Sequence, residues 1–302
     1  MAITRRNIKK WFLMLFGRSV LHVNQGMGKV FKPNIVSGYF NDLTEKVLKQ
    51  KKFLNKGIIP FFEDEKGEKV NFPVGVFQYA LGCYDLFLLS KSEQYYSKFL
   101  ELSDWAVDNQ DEKGGWNNFY YIYPDRPYGA MCQGEGSSLL LRAYMSTGNI
   151  KYLKSAEKSI DFMLGNLNNS HICEMKDDDL ILLEYSNKPA VLNGWIFALF
   201  GLYDLFLVTK NDYYYSLFSK TINTLIKLLP KFDNSYWSMY DLDGRISSPF
   251  YHKLHIAQLK ALFLVTDNDI FKNYYTLFEK YRKNPFKRFK AFVIKVKQKI
   301  KE

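Results

Sequence analysis

The sequence predicts a soluble, mainly α-helical protein, an incomplete α/α toroid of helical hairpins with a small β-hairpin before it. Three observations carry that expectation. The run Tyr84-Asp85-Leu86-Phe87-Leu88-Leu89-Ser90-Lys91 recurs almost verbatim as Tyr203-Asp204-Leu205-Phe206-Leu207-Val208-Thr209-Lys210, and the match continues without a gap to Phe99 and Phe218. Weaker copies occur at Leu141-Arg142-Ala143-Tyr144-Met145-Ser146-Thr147-Gly148 and at Ala261-Leu262-Phe263-Leu264-Val265-Thr266-Asp267. Each copy is an apolar segment at helical spacing, then a short polar turn, then a second segment. A repeat of roughly 60 residues accommodates two ordinary helices and their connections.

The polar turns supply helix stops and caps, with Ser92 and Asn211 placed to open the second helix of their hairpins. Between hairpins lie three long polar-aromatic loops, Asp111 to Met131, Cys173 to Leu192 and Asp233 to Tyr251. Loops of that length at one end of a helical scaffold usually carry function. Before the first repeat, the segment Gly57 to Val70 turns at Lys66-Gly67 and reads as the β-hairpin. The expected organisation is a basic N-terminal segment with the hairpin over 1–70, the toroid over 71–282, and a basic amphipathic helix over 283–302.

Composition narrows the class. The 302 residues are 47% hydrophobic and 24% charged, as in an ordinary folded chain, whereas 17% aromatic is high. Tyrosine and tryptophan fill cores, and they also form platforms on which sugars and bases stack. A net charge of +11 implies an anionic partner: nucleic acid, acidic polysaccharide or an anionic membrane face. The three cysteines Cys83, Cys132 and Cys173 have no metal or redox spacing, which favours a reducing compartment.

No stretch reads as long and apolar enough to span a bilayer. The start, with Arg5, Arg6, Lys9 and Lys10 before Trp11 to Phe16, reads as a basic amphipathic leader lying on a membrane surface, with a secretory signal as the alternative. At the other end, Phe286, Phe289, Phe292, Val293, Val296 and Ile300 alternate with lysines and arginines. That helix is either membrane-associating, the favoured reading, or a solvated terminus. Both ends point to the cytoplasm, at the inner face of the cytoplasmic membrane. Positive charge gathered at the termini, with no recognised module, argues against nucleic acid.

There is no P-loop, Rossmann glycine fingerprint, nucleophile elbow or HExxH zinc motif. His252 and His255 are one helical turn apart, but a metal site would need further ligands nearby, so no metal is expected. What remains are loop tyrosines: Glu184-Tyr185, then Leu192-Asn193-Gly194; Tyr240-Asp241-Leu242 followed by Arg245; and Tyr251-His252 leading into His255. Taken singly, each tyrosine reads first as a packing residue with a satisfied hydroxyl.

Together these motifs resemble the C-terminal helical domain of the D-glucuronyl C5-epimerases. The resemblance begins with Gly114-Gly115-Trp116 and Tyr128-Gly129-Ala130-Met131-Cys132-Gln133-Gly134 with Leu141 to Tyr144. It continues through Glu184-Tyr185, Leu192-Asn193-Gly194 and Gly201 to Leu205, then Tyr240-Asp241-Leu242, and Tyr251-His252 with His255-Ile256 and Gln258-Leu259. It runs in order from roughly Phe72 to Tyr281 and implies the same toroid. It also implies that Tyr185, Tyr240 and Tyr251 are catalytic, with Glu184 beside the first. The substrate-facing candidates are Asn193, Arg245, His252, His255, Gln133 and Trp116. The implied reaction inverts C5 of a glucuronosyl residue in a polysaccharide or lipid-linked glycan, giving iduronosyl, with no cofactor.

The chemistry is coherent from below. A hydrogen on the carbon next to a carboxylate is weakly acidic, and its removal builds an enediolate. One group must take the proton from one face and another return it from the opposite face. Tyrosine, with an ordinary pKa of about 10, can do either if positive charge steadies the phenolate. Two departures from the family stand out. Asp243 occupies the place of the arginine after Tyr-Asp-Leu, leaving Arg245 as the nearest one, and about 70 residues precede the helical domain here where animal enzymes carry a large β-rich region. The expectation is that part of the cleft is missing, is rebuilt in a homodimer, or is unnecessary for a smaller substrate. The alternatives in function are a uronate lyase, which shares the proton abstraction, and a non-catalytic glycan-binding or assembly protein of the same fold.

Overall fold

The computed structural model describes residues 23–64, 67–165, 171–186 and 188–301. The expected N-terminal leader and Lys66 of the hairpin turn lie outside the described residues. The helices are α1 (Thr44–Lys49), α2 (Pro73–Ser90), α3 (Glu93–Asp108), α4 (Ala130–Thr147), α5 (Ile150–Met163), α6 (Leu192–Thr209), α7 (Asp212–Leu228), α8 (Pro249–Thr266), α9 (Asp269–Lys283) and α10 (Pro285–Lys301). Helices α2 to α9 form four hairpins, as the repeats predict, and build an incomplete α/α toroid.

Sequence decides which helix of each hairpin lies inside. The first helices, α2, α4, α6 and α8, are each 18 residues long and buried over most of their circumference. The second helices, α3, α5, α7 and α9, bury one stripe and present charged residues outward. Helix α6 is apolar and long enough to cross a bilayer, which the sequence reading overlooked, but it is mostly buried as a core helix of the toroid. Glycine lets the inner helices approach closely: a Cβ on Gly201 would lie 2.3 Å from the Gly134 carbonyl oxygen of α4.

Each inner helix ends on a residue in the left-handed region: Lys91 (φ 59°), Gly148 (70°), Lys210 (55°) and Asp267 (52°). Asn149, Asn211 and Asn268 then cap the outer helices by accepting from the N–H two residues on, at 3.1, 2.9 and 2.9 Å. Ser92 stands at the equivalent position, but its side chain makes no cap bond, contrary to expectation.

Among the described residues two hairpins of strands appear. Phe62–Glu63 (β1) pairs with Lys69–Val70 (β2), the expected hairpin. Cys173–Lys176 (β3) pairs with Asp179–Leu182 (β4), inside a stretch read from sequence as loop. The chain ahead of the repeats is part of the same core: Tyr39, Phe40, Leu43, Val47 and Phe53 are fully buried among the helices, and Phe40 stacks on Phe200 with ring centres 3.9 Å apart. A buried ion pair, Arg142 to Asp204 at 2.7 Å, ties α4 to α6. The same guanidinium donates to the Ser37 carbonyl at 2.8 Å and the Gly38 carbonyl at 3.2 Å, fastening the early chain to the toroid.

Candidate active site

The short turns lie at one end of the inner helices and the long loops at the other, so every long loop delivers its residues to the N-terminal ends of α4, α6 and α8. Backbone hydrogen bonds stitch these loops together. Ala130 N donates to Leu183 O at 2.8 Å, Leu192 N to Tyr240 O at 3.0 Å, and Leu242 N to Ala190 O at 3.1 Å. Segments distant in sequence, 183–192 and 239–246, are thereby held side by side.

That stitching brings the predicted tyrosines together. The Tyr240 and Tyr251 rings meet edge to face with centres 5.0 Å apart. The Tyr185 hydroxyl lies beside both the Glu184 carboxyl group and the Tyr240 hydroxyl, close enough for each to influence the others' ionisation. Tyr185 stacks on Phe119 at 4.6 Å. Glu184 is buried, with Oε2 lacking a hydrogen-bond partner, and lies against the first turn of α6. A Cβ on Gly194 would sit 2.4 Å from that oxygen, so only glycine leaves the carboxyl room.

Electrostatics follow from this burial. Burial pushes the Glu184 carboxyl up to about 7, against the opposing pull of the neighbouring Tyr185 hydroxyl and the Arg245 charge. The Tyr185 hydroxyl is raised above the usual phenol range, first by the neighbouring Glu184 charge and then by burial. Tyr240 and Tyr251 are raised too, by burial first and Glu184 second. All three therefore rest as neutral phenols, poised to donate protons. A carboxyl titrating near neutrality beside them is the natural acceptor.

Among the described residues, positive charge near the tyrosines comes from three places, of which only Arg245 was anticipated. Arg245 lies 5.5 Å from the Tyr240 ring centre, yet its guanidinium is ion-paired with buried Asp241. Asp241 Oδ1 also accepts from the backbone N–H groups of Asp243 and Arg245, each at 3.1 Å, and so shapes the turn. Asp243 itself is exposed. Lys295 reaches in from α10, 5.7 Å from the Tyr240 ring, while donating to Ile246 O at 2.7 Å.

Sequence reasoning passed over Lys188. Its ammonium lies 5.3 Å from the Tyr185 ring centre and 4.2 Å from that of Tyr123, and donates to the Tyr123 hydroxyl at 2.8 Å. Among the described residues no carboxylate pairs with it. Its position three residues after Tyr185, in a loop already singled out, was the available signal. Beside it the exposed run Tyr120-Tyr121-Ile122-Tyr123 forms an aromatic rim.

Several expected substrate contacts are corrected. Trp116 is buried against Phe77, its indole N–H donating to Ala106 O at 2.8 Å. Gln133 is fully buried, and its amide is used on the Trp116 N–H and carbonyl and the Gly129 carbonyl. His252 is sandwiched against Trp237 at 3.6 Å; its Nδ1 accepts from Ser238 N and its Nε2 reaches Phe278 O at 2.9 Å. These three hold the frame and offer a ligand no exposed surface.

His255 shares the Ser238 hydroxyl at 2.9 Å, but its buried Nε2 has no partner. Burial drives both imidazoles toward the neutral form, His252 down to about 3. Asn193 is likewise buried with Oδ1 unpartnered, and its carbonyl accepts from Gln258 at 3.1 Å. Asn193 stands in the first turn of α6, against which Glu184 lies, and both carry unspent hydrogen-bonding capacity there. Among the described residues no group of three or more histidine, cysteine, aspartate or glutamate side chains is arranged to hold a metal ion.

Comparison with known proteins places this architecture. A family profile described as "D-glucuronyl C5-epimerase C-terminus" matches residues 110–280, more than half of the chain. The D-glucuronyl C5-epimerase of Caenorhabditis elegans is 29% identical over 202 residues, spanning 57% of this chain and 33% of that protein. An uncharacterised protein of Methanocaldococcus jannaschii is 31% identical over 154 residues, 49% of this chain and 50% of the other. The chain thus spans a third to a half of the length of these relatives.

Among solved structures, cellobiose 2-epimerase from Spirochaeta thermophila superposes with a TM-score of 0.54 at 11% identity, over 79% of this chain and 70% of that one. Unsaturated glucuronyl hydrolase from Bacillus sp. GL1 gives 0.53 at 12%, over 79% and 66%. At such identities these two speak for the toroid alone. The sequence match, which runs through every loop that builds the tyrosine cluster, does more: the chain belongs to the D-glucuronyl C5-epimerase C-terminal family.

Proposed function

We propose that this protein is a carbohydrate epimerase that inverts C5 of a D-glucuronosyl residue in a polysaccharide or lipid-linked glycan, giving L-iduronosyl. The observation that carries the reading is the convergence of Tyr185, Tyr240 and Tyr251 on one buried carboxyl, Glu184, that is held near neutral pKa.

In this mechanism the Tyr185 oxygen takes the C5 proton as its own proton passes to Glu184. The electron pair of the broken C–H bond moves into the substrate carboxylate as an enediolate. Tyr251 returns a proton to C5 from the opposite face. Tyr240, beside Tyr185 and edge-on to Tyr251, joins the two sides so that the Glu184 proton resets the Tyr251 phenolate. Every proton taken is replaced, and no electrons leave the substrate. Fixed positive charge aimed where negative charge grows is worth most in a site shielded from water. Lys188 is the cation we assign to the substrate carboxylate, because Arg245 is already engaged by Asp241. The rim of Tyr120, Tyr121 and Tyr123 offers ring faces to neighbouring sugars.

The test is incubation with glucuronate-containing polymers in heavy water. Deuterium entering C5 without an ultraviolet-absorbing product supports epimerisation. An unsaturated product would indicate the lyase, and binding without exchange on a broad panel would indicate a glycan-binding protein.

A further inference from the structure

Helix α10 is mounted with its apolar stripe facing away from the protein. Phe286, Phe289, Val293, Val296 and Ile300 recur at steps of three and four and so share one face. Phe286 is 85% exposed, Phe289 70% and Ile300 57%. The opposite face makes the attachment. Ala291 is buried there, Gln298 donates to Gly244 O at 3.0 Å and accepts from Ile246 N at 2.9 Å, and Lys295 donates to Ile246 O. An amphipathic helix fastened by polar groups, with phenylalanines presented to water, is the reverse of ordinary packing.

The charge around the stripe selects what covers it. The helix contains no aspartate or glutamate, and Arg288, Lys290 and Lys297 are exposed along it, whereas Lys287 turns back to the Ser235 carbonyl and the Tyr281 ring. The last turn of α9 adds Lys280 and Lys283, while its Arg282 is paired with Glu279 at 2.6 Å. Apolar rings set among cations match an anionic bilayer surface, where the rings enter the acyl boundary and the cations meet phosphates. An anionic glycan would engage the cations and could stack on a ring face, but it would leave the aliphatic part of the stripe, Val293, Val296 and Ile300, in water.

We infer that α10 docks this protein onto anionic lipid, with Phe286 and Phe289 inserted and the flanking lysines and Arg288 on the headgroups. Gln298 and Lys295 hold the 244–246 backbone, so the helix that meets the membrane also braces the loop carrying Tyr240. The docking fixes the orientation of the cleft relative to the bilayer, whatever reaction the cleft performs.

The experiment is co-sedimentation of the full chain with phosphatidylcholine vesicles, with and without phosphatidylglycerol. The expected result is binding at least about tenfold tighter to the anionic vesicles, weakening with salt. Phe286→Ser with Phe289→Ser lowers that binding by about tenfold or more at every salt concentration. Arg288→Glu with Lys297→Glu abolishes the preference for anionic lipid. Circular dichroism checks that both variants keep the wild-type helical content. Failure of wild type to pellet with anionic vesicles, or equal binding by the phenylalanine variant, overturns the inference. So does a wild-type dimer in solution that the phenylalanine variant dissolves, since the stripe would then belong to a second copy of the chain.

Discussion

Gly194→Ala tests whether the position of Glu184 matters. A Cβ there would lie 2.4 Å from Glu184 Oε2, 2.7 Å from its Cβ and 2.9 Å from its Cδ. Comfortable contacts between such atoms begin at about 3.4 Å, so the carboxyl must retreat by about 1 Å. A displacement of that size in a proton-transfer site costs on the order of a hundredfold in rate. The effect on folding is small by comparison. Alanine is better than glycine in a helix by about 1 kcal/mol, and crowding of this kind costs about 1–3 kcal/mol, so the two nearly offset. Gly75→Ala is the matched control. It is the third residue of α2 as Gly194 is of α6, but its new Cβ would meet nothing nearer than Phe72 at 3.8 Å. The assay pairs C5 deuterium exchange with thermal melting. The expected result is a roughly hundredfold loss for Gly194→Ala with its fold intact, and wild-type exchange for Gly75→Ala. Wild-type exchange in Gly194→Ala would refute the role given to Glu184.

Three further outcomes follow from the same geometry. Lys188→Ala should lower kcat/KM for a uronate substrate by about 10- to 100-fold, mainly through KM, with Lys188→Arg retaining part of it; this is the loss of one charge-assisted contact. Arg142→Met strands buried Asp204 and frees two backbone carbonyls, and should cost about 3–5 kcal/mol in urea unfolding, partly recovered by adding Asp204→Leu. Glu184 binds its proton more tightly folded, near 7, than at its ordinary 4.5, so its contribution to stability is fully present below pH 4.5 and fades as pH rises through 7. Across that window Glu184→Gln should gain stability relative to wild type by up to about 3 kcal/mol, read as a pH series of urea midpoints.

The toroid was legible because its repeats announce themselves. Tyr84 to Lys91 and Tyr203 to Lys210 are copies of one inner-helix C-terminus, and each ends on the left-handed residue that the turn needs. The β3–β4 hairpin was hidden because its strands are four residues each, and Glu174, Met175 and Lys176 all face water, which leaves β3 no alternation to read. The packing of residues 39–53 into the core depends on contacts far along the chain, such as Phe40 on Phe200 and Arg142 on Ser37, that no local pattern encodes.

In the site, the tyrosines and Glu184 were visible as motifs, whereas the direction of a side chain was not. Trp116, Gln133 and His252 belong to recognisable motifs but spend their polar atoms inside the frame. Lys188 belongs to no motif and acquires its place only when Phe119, Tyr123 and Tyr185 are folded around it.

The most direct measurement is deuterium incorporation at C5 of a glucuronate polymer in heavy water, by wild type, Tyr185→Phe and Tyr251→Phe, with iduronosyl content read on the same samples. The account predicts exchange with iduronosyl formation by wild type, and loss of both by about a hundredfold or more in each variant. Exchange at the wild-type rate in both tyrosine variants would contradict it.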